Sequence, residues 1–213
     1  MKGCILFLHG TYKKDELFFY ERLCRGRVKV AVDGGYSFFR KTGLVPQLLI
    51  GDFDSLKRIP RNLGPKTKVL TFPSRKDETD SQLAVEYCLE EGAKDIDIVV
   101  PSTGEPDHFL GNFALLSLCA KKAPEVNARL INIRYQAVLL ENNRMEFAGC
   151  SGHLVSVSPM EKRIELTCRG TEYDADGVRI KVGDSRAMRN RIAAGRAWLV
   201  VKGRAFVIHQ FNR

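Results

Sequence analysis

Apolar positions in the first two-thirds of this chain alternate between short continuous runs and stretches with helical spacing. Short runs rich in Val, Ile and Leu and bounded by turn residues predict buried strands. They fall at residues 3–8, 28–32, 48–50, 68–72 and 95–100. Helical spacing predicts a helix over 15–24, with Leu17, Phe18, Tyr20, Leu23 and Cys24 on a buried face. Further helices are predicted over 36–41, from the segment Ser74–Asp80 to about Glu91, and over 107–121, with strands again at 129–133 and 136–140. Strand and helix in strict succession predict a parallel sheet.

Near Asn143 the rhythm changes. Short strands separated by turns are expected at 144–147, 154–158, 164–168, 178–182, 197–201 and 205–210, with Lys202-Gly203 as a hairpin turn. The expectation is an N-terminal parallel-sheet (Rossmann-like) α/β domain over 1–142, followed by a β-sandwich domain over 143–213.

Composition changes this picture little. The 213 residues are 44% hydrophobic and 28% charged, enough for a substantial core. No apolar run is long enough to span a bilayer and no leader pattern opens the chain, so a cytoplasmic location is expected. The six cysteines are scattered without a C-x-x-C pair, and are expected to be buried reduced thiols rather than a zinc or redox motif. Of the net charge of +9, residues 143–213 carry +6, a bias suited to any polyanion, nucleoside triphosphate included.

The candidate chemistry lies where predicted strands end. The run Leu48-Leu49-Ile50 stops at Gly51 and opens onto Asp52-Phe53-Asp54-Ser55. In extended chain the carboxylates at i and i+2 point the same way, so Asp52 and Asp54 are expected to face one hard cation. Asp33 follows another strand, Asp77 and Asp80 sit at a helix start where they are expected to share a face, and Asp107 opens a third helix. Each alone is a helix cap or turn acid. Six on one sheet rim repel unless a cation lies between them, which points to bound Mg²⁺ and phosphoryl chemistry. Arg40, Lys41, Arg75 and Lys76 lie near the acids and are either phosphate ligands or solvated surface charges. Neither a G-x-x-x-x-G-K-[ST] loop nor a G-x-G-x-x-G fingerprint is present.

The ordered set Asp33-Gly34-Gly35, Gly43-Leu44-Val45-Pro46, Gly51-Asp52-Phe53-Asp54-Ser55, Lys76-Asp77-Glu78-Thr79-Asp80 and Asp107-His108 with Asn112 resembles the thiamine pyrophosphokinase family. That resemblance implies a homodimer with active sites between subunits, in which pyrophosphate passes from ATP to the hydroxyl of thiamine with release of AMP, and a requirement for Mg²⁺. It implies that Asp52, Asp54 and Asp80 hold metal and that Asp33, Asp77 and Asp107 complete the acidic site. Gly34, Gly35, Ser55, Lys76, Thr79, His108 and Asn112, together with Asp33, would contact nucleotide or phosphate. On the acceptor side Asn190 matches the family pattern, whereas Arg189 stands where a small hydroxyl residue is usual, and Glu105 where an arginine is. Arg189 suits an anionic or neutral alcohol better than cationic thiamine. Two other readings therefore stay open: a pyrophosphokinase for a different alcohol, and a non-catalytic nucleotide or nucleic-acid binder drawing on the eight basic residues between Arg179 and Arg204. Nucleic acid is the less expected partner because interleaved aromatics are scarce there, and no membrane partner is expected.

Overall fold

A computed structural model describes residues 2–54, 59–60, 63–101 and 105–212. The chain forms two compact units, Met1–Ile133 and Arg134–Arg213.

In the first unit β1 (Gly3–Phe7), β2 (Val28–Val32), β3 (Leu48–Gly51), β4 (Lys68–Thr71), β5 (Asp95–Val99) and β6 (Asn127–Asn132) pair in the order β4-β3-β2-β1-β5-β6, every neighbour parallel. Helices α1 (Leu17–Leu23), α2 (Tyr36–Thr42), α3 (Asp80–Glu90) and α4 (Pro106–Lys122) connect them. Alternation along each strand sends side chains to both faces. Ile5, Phe7, Ala31 and Leu49 pack with Tyr12, Tyr20, Phe38 and Phe39 in one core. Phe7 stacks on Phe38 at 3.9 Å between ring centroids. The buried Tyr12 hydroxyl donates to Leu8 O at 2.6 Å, fixing the chain just past the end of β1.

Asp97 on β5 is 1% exposed and lies between two arginines. Arg129 donates to it through Nε at 2.6 Å and Nη2 at 3.1 Å, and Arg27 Nη1 lies 3.0 Å from its Oδ2. A carboxylate this deep needs such partners to offset its lost hydration.

The second unit is antiparallel. Strand β7 (Tyr135–Ala148) runs beside β12 (Arg196–Gln210) over nearly its whole length. The first half of β12 also pairs with β9 (Arg163–Arg169), which carries β10 (Ala175–Lys181). Its second half pairs with β8 (Leu154–Pro159), which carries β11 (Asn190–Arg191). The core between them holds Phe147, Val157, Leu166, Leu199, Val201 and Val207.

Several expectations are corrected here. The strands expected at 136–140 and 144–147 are one strand, β7, so the division falls at 133/134 and not at residue 142. Lys202-Gly203 is a bulge inside β12, since the register against β7 shifts only between Val201 and Arg204. Gly203 adopts φ +103 there, and a Cβ would meet Glu161 Oε1 at 2.1 Å. Asn142 Oδ1 accepts from Gly203 N and Glu161 Oε1 from Arg204 N, which satisfies the amides that a hairpin would have turned to water. Phe18 is exposed rather than buried, with the Arg22 guanidinium 6.0 Å from its ring centre. Five cysteines are buried, but Cys150 is only half so. Burial pushes the Cys119 thiol up to about 12 and Cys24 to about 11, which keeps both unreactive.

Candidate active site

The carboxyl ends of β2 and β3, with the approach to α3, bring three carboxylates together. One oxygen each from Asp33, Asp52 and Asp80 lies within 4.8 Å of the others. Local backbone explains how. β2 ends into a 3₁₀ turn, Asp33–Gly35, which passes so close to β1 that a Cβ on Gly35 would meet Phe7 O at 1.8 Å. Only glycine fits, and the turn holds Asp33 at φ +44, over the end of β3.

Lys76 completes the cluster. Its Nζ lies 3.0 Å from Asp80 Oδ1 and 3.7 Å from Asp52 Oδ2, and donates to Pro73 O at 3.0 Å. The side chain is 12% exposed, so it is a counter-ion of the acids and not a solvated surface charge. Of the other nearby cations, Lys41 Nζ donates to Tyr12 O at 2.6 Å, while Arg40 and Arg75 are exposed.

Burial raises the Asp80 carboxyl above its ordinary range; the Lys76 ammonium opposes this, and the Asp52 and Asp33 charges add to it. In Mg²⁺-free protein Asp80 is therefore expected to titrate above ordinary aspartates. Lys76→Met, by removing the one lowering influence, is expected to move it higher still. Carboxyl-carbon NMR shifts followed against pH check this, and an Asp80 titration unmoved by Lys76→Met would contradict it.

Asp54 does not join the three. Phe53 adopts φ +64, so the chain turns between the two acids instead of extending, and Asp52 Oδ1 accepts from Asp54 N at 3.1 Å. The Asp54 side chain is left exposed. Nor do Asp77 and Asp80 share a helix face: α3 starts at Asp80, and the exposed Asp77 precedes it. Thr79 is the N-cap, its Oγ1 accepting from Gln82 N at 3.2 Å. Thr79→Ala is expected to cost about 1 kcal/mol, read as a urea midpoint for the first unit lower than that of the parent chain.

Asp107 and His108 lie exposed in the first turn of α4, where Asp107 Oδ1 accepts from His108 N at 2.7 Å, and Asn112 follows one turn on, half-buried. Ser55 lies outside the described residues. In the second unit, Asn190 holds a loop closed: its Oδ1 accepts from Tyr173 N and its Nδ2 donates to Tyr173 O. Arg189 is exposed at φ +57, its N donating to Ser156 Oγ and its Nη1 to Gln210 Oε1. Trp198 is half-buried on the outer face of β12, with the Arg144 guanidinium 4.4 Å from its ring centre.

One residue at the site was not anticipated. His9 Nδ1 lies 3.5 Å from Asp33 Oδ2. The available signal was Leu8-His9-Gly10 closing the first strand much as Asp33-Gly34-Gly35 closes the second.

An open parallel sheet with helices between its strands defines an α/β protein, and in such sheets ligands generally bind outside the carboxyl ends of the strands, where these acids lie. Residues 20–128, just over half of the chain, match the family described as "Thiamin pyrophosphokinase, catalytic domain". The chain belongs to the thiamine pyrophosphokinase family of enzymes. The curated thiamine pyrophosphokinase of Bacillus subtilis (strain 168) is 28% identical over 171 residues, 78% of this chain and 79% of that protein. The fold is similar to the crystal structure of the B. subtilis thiamine pyrophosphokinase, with a TM-score of 0.84 at 24% identity over all of both chains. It is likewise similar to thiamin pyrophosphokinase from Candida albicans, with a TM-score of 0.76 at 15% identity over 99% of this chain and 89% of that one. No helix among the described residues is long and apolar enough to cross a membrane.

Proposed function

We propose that this chain transfers the pyrophosphoryl group of ATP to the hydroxyl of thiamine, forming thiamine diphosphate and AMP at the Asp33–Asp52–Asp80 cluster. The observation that carries this reading is the convergence of three carboxylates, two of them paired with Lys76, at the carboxyl edge of the sheet. Carboxylate oxygens at this spacing suit a hard divalent cation, and a lysine ammonium already meets two of them.

Asp52 and Asp80, with Asp33 in the place first expected of Asp54, would hold Mg²⁺, which when bound neutralises phosphate charge and orients the β-phosphorus for in-line attack. The residues of the chain divide the remaining work. Lys76, flexible and charged, can swing from the acids to the phosphate oxygens. Gly34 and Gly35, packed against His9 and β1, are assigned with Thr79, His108, Asn112 and Ser55 to the nucleotide. One of the exposed acids Asp54, Asp77 and Asp107 is assigned to accept the proton of the acceptor hydroxyl. Asn190 and Arg189 are assigned to the acceptor side. We further read the units as a Rossmann-like α/β domain and a β-sandwich, cytoplasmic, in a homodimer.

The exposed cation at Arg189 favours a second reading, in which the acceptor is an anionic or neutral alcohol. AMP formation with ATP, Mg²⁺ and thiamine supports the first reading, and AMP formation with another alcohol but not with thiamine replaces it by the second. A nucleic-acid module receives less support, because Arg186, Arg191, Lys202 and Arg204 already lie against Asp184, Glu172, Glu165 and Glu141. Salt-dependent oligonucleotide binding without ATP turnover would overturn this preference.

A further inference from the structure

The second unit carries a different set of ligating groups. Cys150, His153 and His209 each direct one ligand atom into a common region, with all three atoms within 4.8 Å of one another. Cys150 and His153 are the first and last residues of a turn closed by His153 N donating to Cys150 O at 3.0 Å. Gly152 in its third position has φ +84, as a type II turn requires. The turn is pinned to residue 192, with Gly152 N donating to Ile192 O and Ile192 N to His153 O, both at 2.8 Å. Its C-x-x-H spacing therefore presents a thiol and an imidazole on the same side of a fixed loop.

The third group comes from the far end of the chain. His209 lies on β12, opposite Val155, and is 4% exposed. His153 Nδ1 is 2.8 Å from His209 Nε2, so one imidazole donates to the other. The remaining nitrogen of His209, Nδ1, is 3.3 Å from Gln136 Nε2. A half-turn of that amide would offer its oxygen to an Nδ1–H, the outer hydrogen bond that ligating histidines usually make. Phe147 and Phe211 pack against the His209 ring at 5.1 and 5.3 Å between centroids, which limits water on one side.

We propose that Cys150, His153 and His209 bind one zinc-like divalent transition metal through Sγ, Nδ1 and Nε2, with water in the fourth position. Around tetrahedral zinc, ligand nitrogens stand about 3.3 Å apart, and nitrogen and sulfur about 3.6 Å. The two histidines must open by about 0.5 Å from their 2.8 Å separation, and the sulfur starts within 4.8 Å of both, so side-chain rotation supplies the fit while the turn stays fixed. Binding displaces the proton shared by the imidazoles, which returns through solvent to His153 Nε2 while His209 carries its proton on Nδ1, so both rings stay neutral; the thiol releases its proton to solvent as the thiolate coordinates. Mg²⁺ does not compete, because it prefers an all-oxygen shell. The consequence is a clip joining the 150–153 turn to the final strand.

The test uses the full chain, reduced and stripped with chelator, in excess Mg²⁺. Titration with Co²⁺ is expected to give a thiolate-to-cobalt charge-transfer band that saturates at one equivalent and is bleached by Zn²⁺. Cys150→Ser and His209→Gln are each expected to abolish the band. An absent band in the parent chain, or a band that survives Cys150→Ser, overturns the proposal and leaves a hydrogen-bonded histidine pair only. Should a variant fail to fold, the parent chain still decides the matter: Zn²⁺ is expected to slow iodoacetamide alkylation of Cys150 at least tenfold, and an unchanged rate overturns the proposal.

Discussion

Asp52→Asn is expected to lower AMP formation from ATP and thiamine at least about a hundredfold, the scale seen when one preorganised charged group is removed from a transition-state clamp. The substitution keeps the shape of the side chain and its ability to accept from Asp54 N, the 3.1 Å bond that shapes the turn. It removes a charge from the three-carboxylate cluster and weakens the hold on Lys76, whose Nζ lies 3.7 Å away. The loss should fall chiefly on kcat and on the Mg²⁺ concentration needed, while the melting temperature stays close to that of the parent. Glu125→Gln, which breaks only an exposed pair with Lys94, is the matched control and should leave turnover unchanged. Turnover of Asp52→Asn within about threefold of the parent would remove Asp52 from the centre of the site.

The second large effect is on stability. Asp97→Ala is expected to destabilise the first unit by about 3 kcal/mol, at the lower end of the range for breaking a buried ion pair. The lower end applies because Arg27 and Arg129 keep 23% and 31% of their side chains exposed and can rehydrate once the carboxylate is gone. Guanidinium binding by both arginines is lost together, so Asp97→Ala should cost more than either Arg27→Ala or Arg129→Ala. Thermal or urea unfolding of the three variants measures this, and an Asp97→Ala chain as stable as the parent would show the pairs to be neutral overall. Catalysis at permissive temperature should be retained, because Asp97 sits within β5 and its partners lie outside the acidic cluster.

The strands of the first unit were legible because parallel strands covered on both faces leave continuous Val, Ile and Leu runs, and their carboxyl ends were marked by Asp33 and Asp52 themselves. Local sequence could not show how the chain turns after β3. The left-handed conformation of Phe53 separates Asp52 from Asp54 and leaves Asp33 as the third carboxylate, a partnership set by strand order rather than by spacing. Lys76 stayed open between phosphate ligand and solvated surface charge because its burial depends on the fold of the segment before α3. In the second unit, polar residues around Asn142 and Lys202-Gly203 interrupted the hydrophobic pattern and simulated a domain boundary and a hairpin. Both belong to one long ribbon, whose bulge is satisfied by the Asn142 and Glu161 side chains. Cys150 and His153 were close in sequence, yet His209 joins them only when β12 pairs beside β8.

The proposed chemistry at the cluster is attack on the β-phosphorus of ATP. ATP labelled at its γ-phosphorus, incubated with Mg²⁺, thiamine and the chain, tests it when the products are resolved by phosphorus NMR and chromatography. The expected product is thiamine diphosphate carrying the label at its terminal phosphorus, formed mole for mole with AMP. Labelled thiamine monophosphate with ADP, or nucleotide hydrolysis that leaves thiamine unchanged, would contradict it.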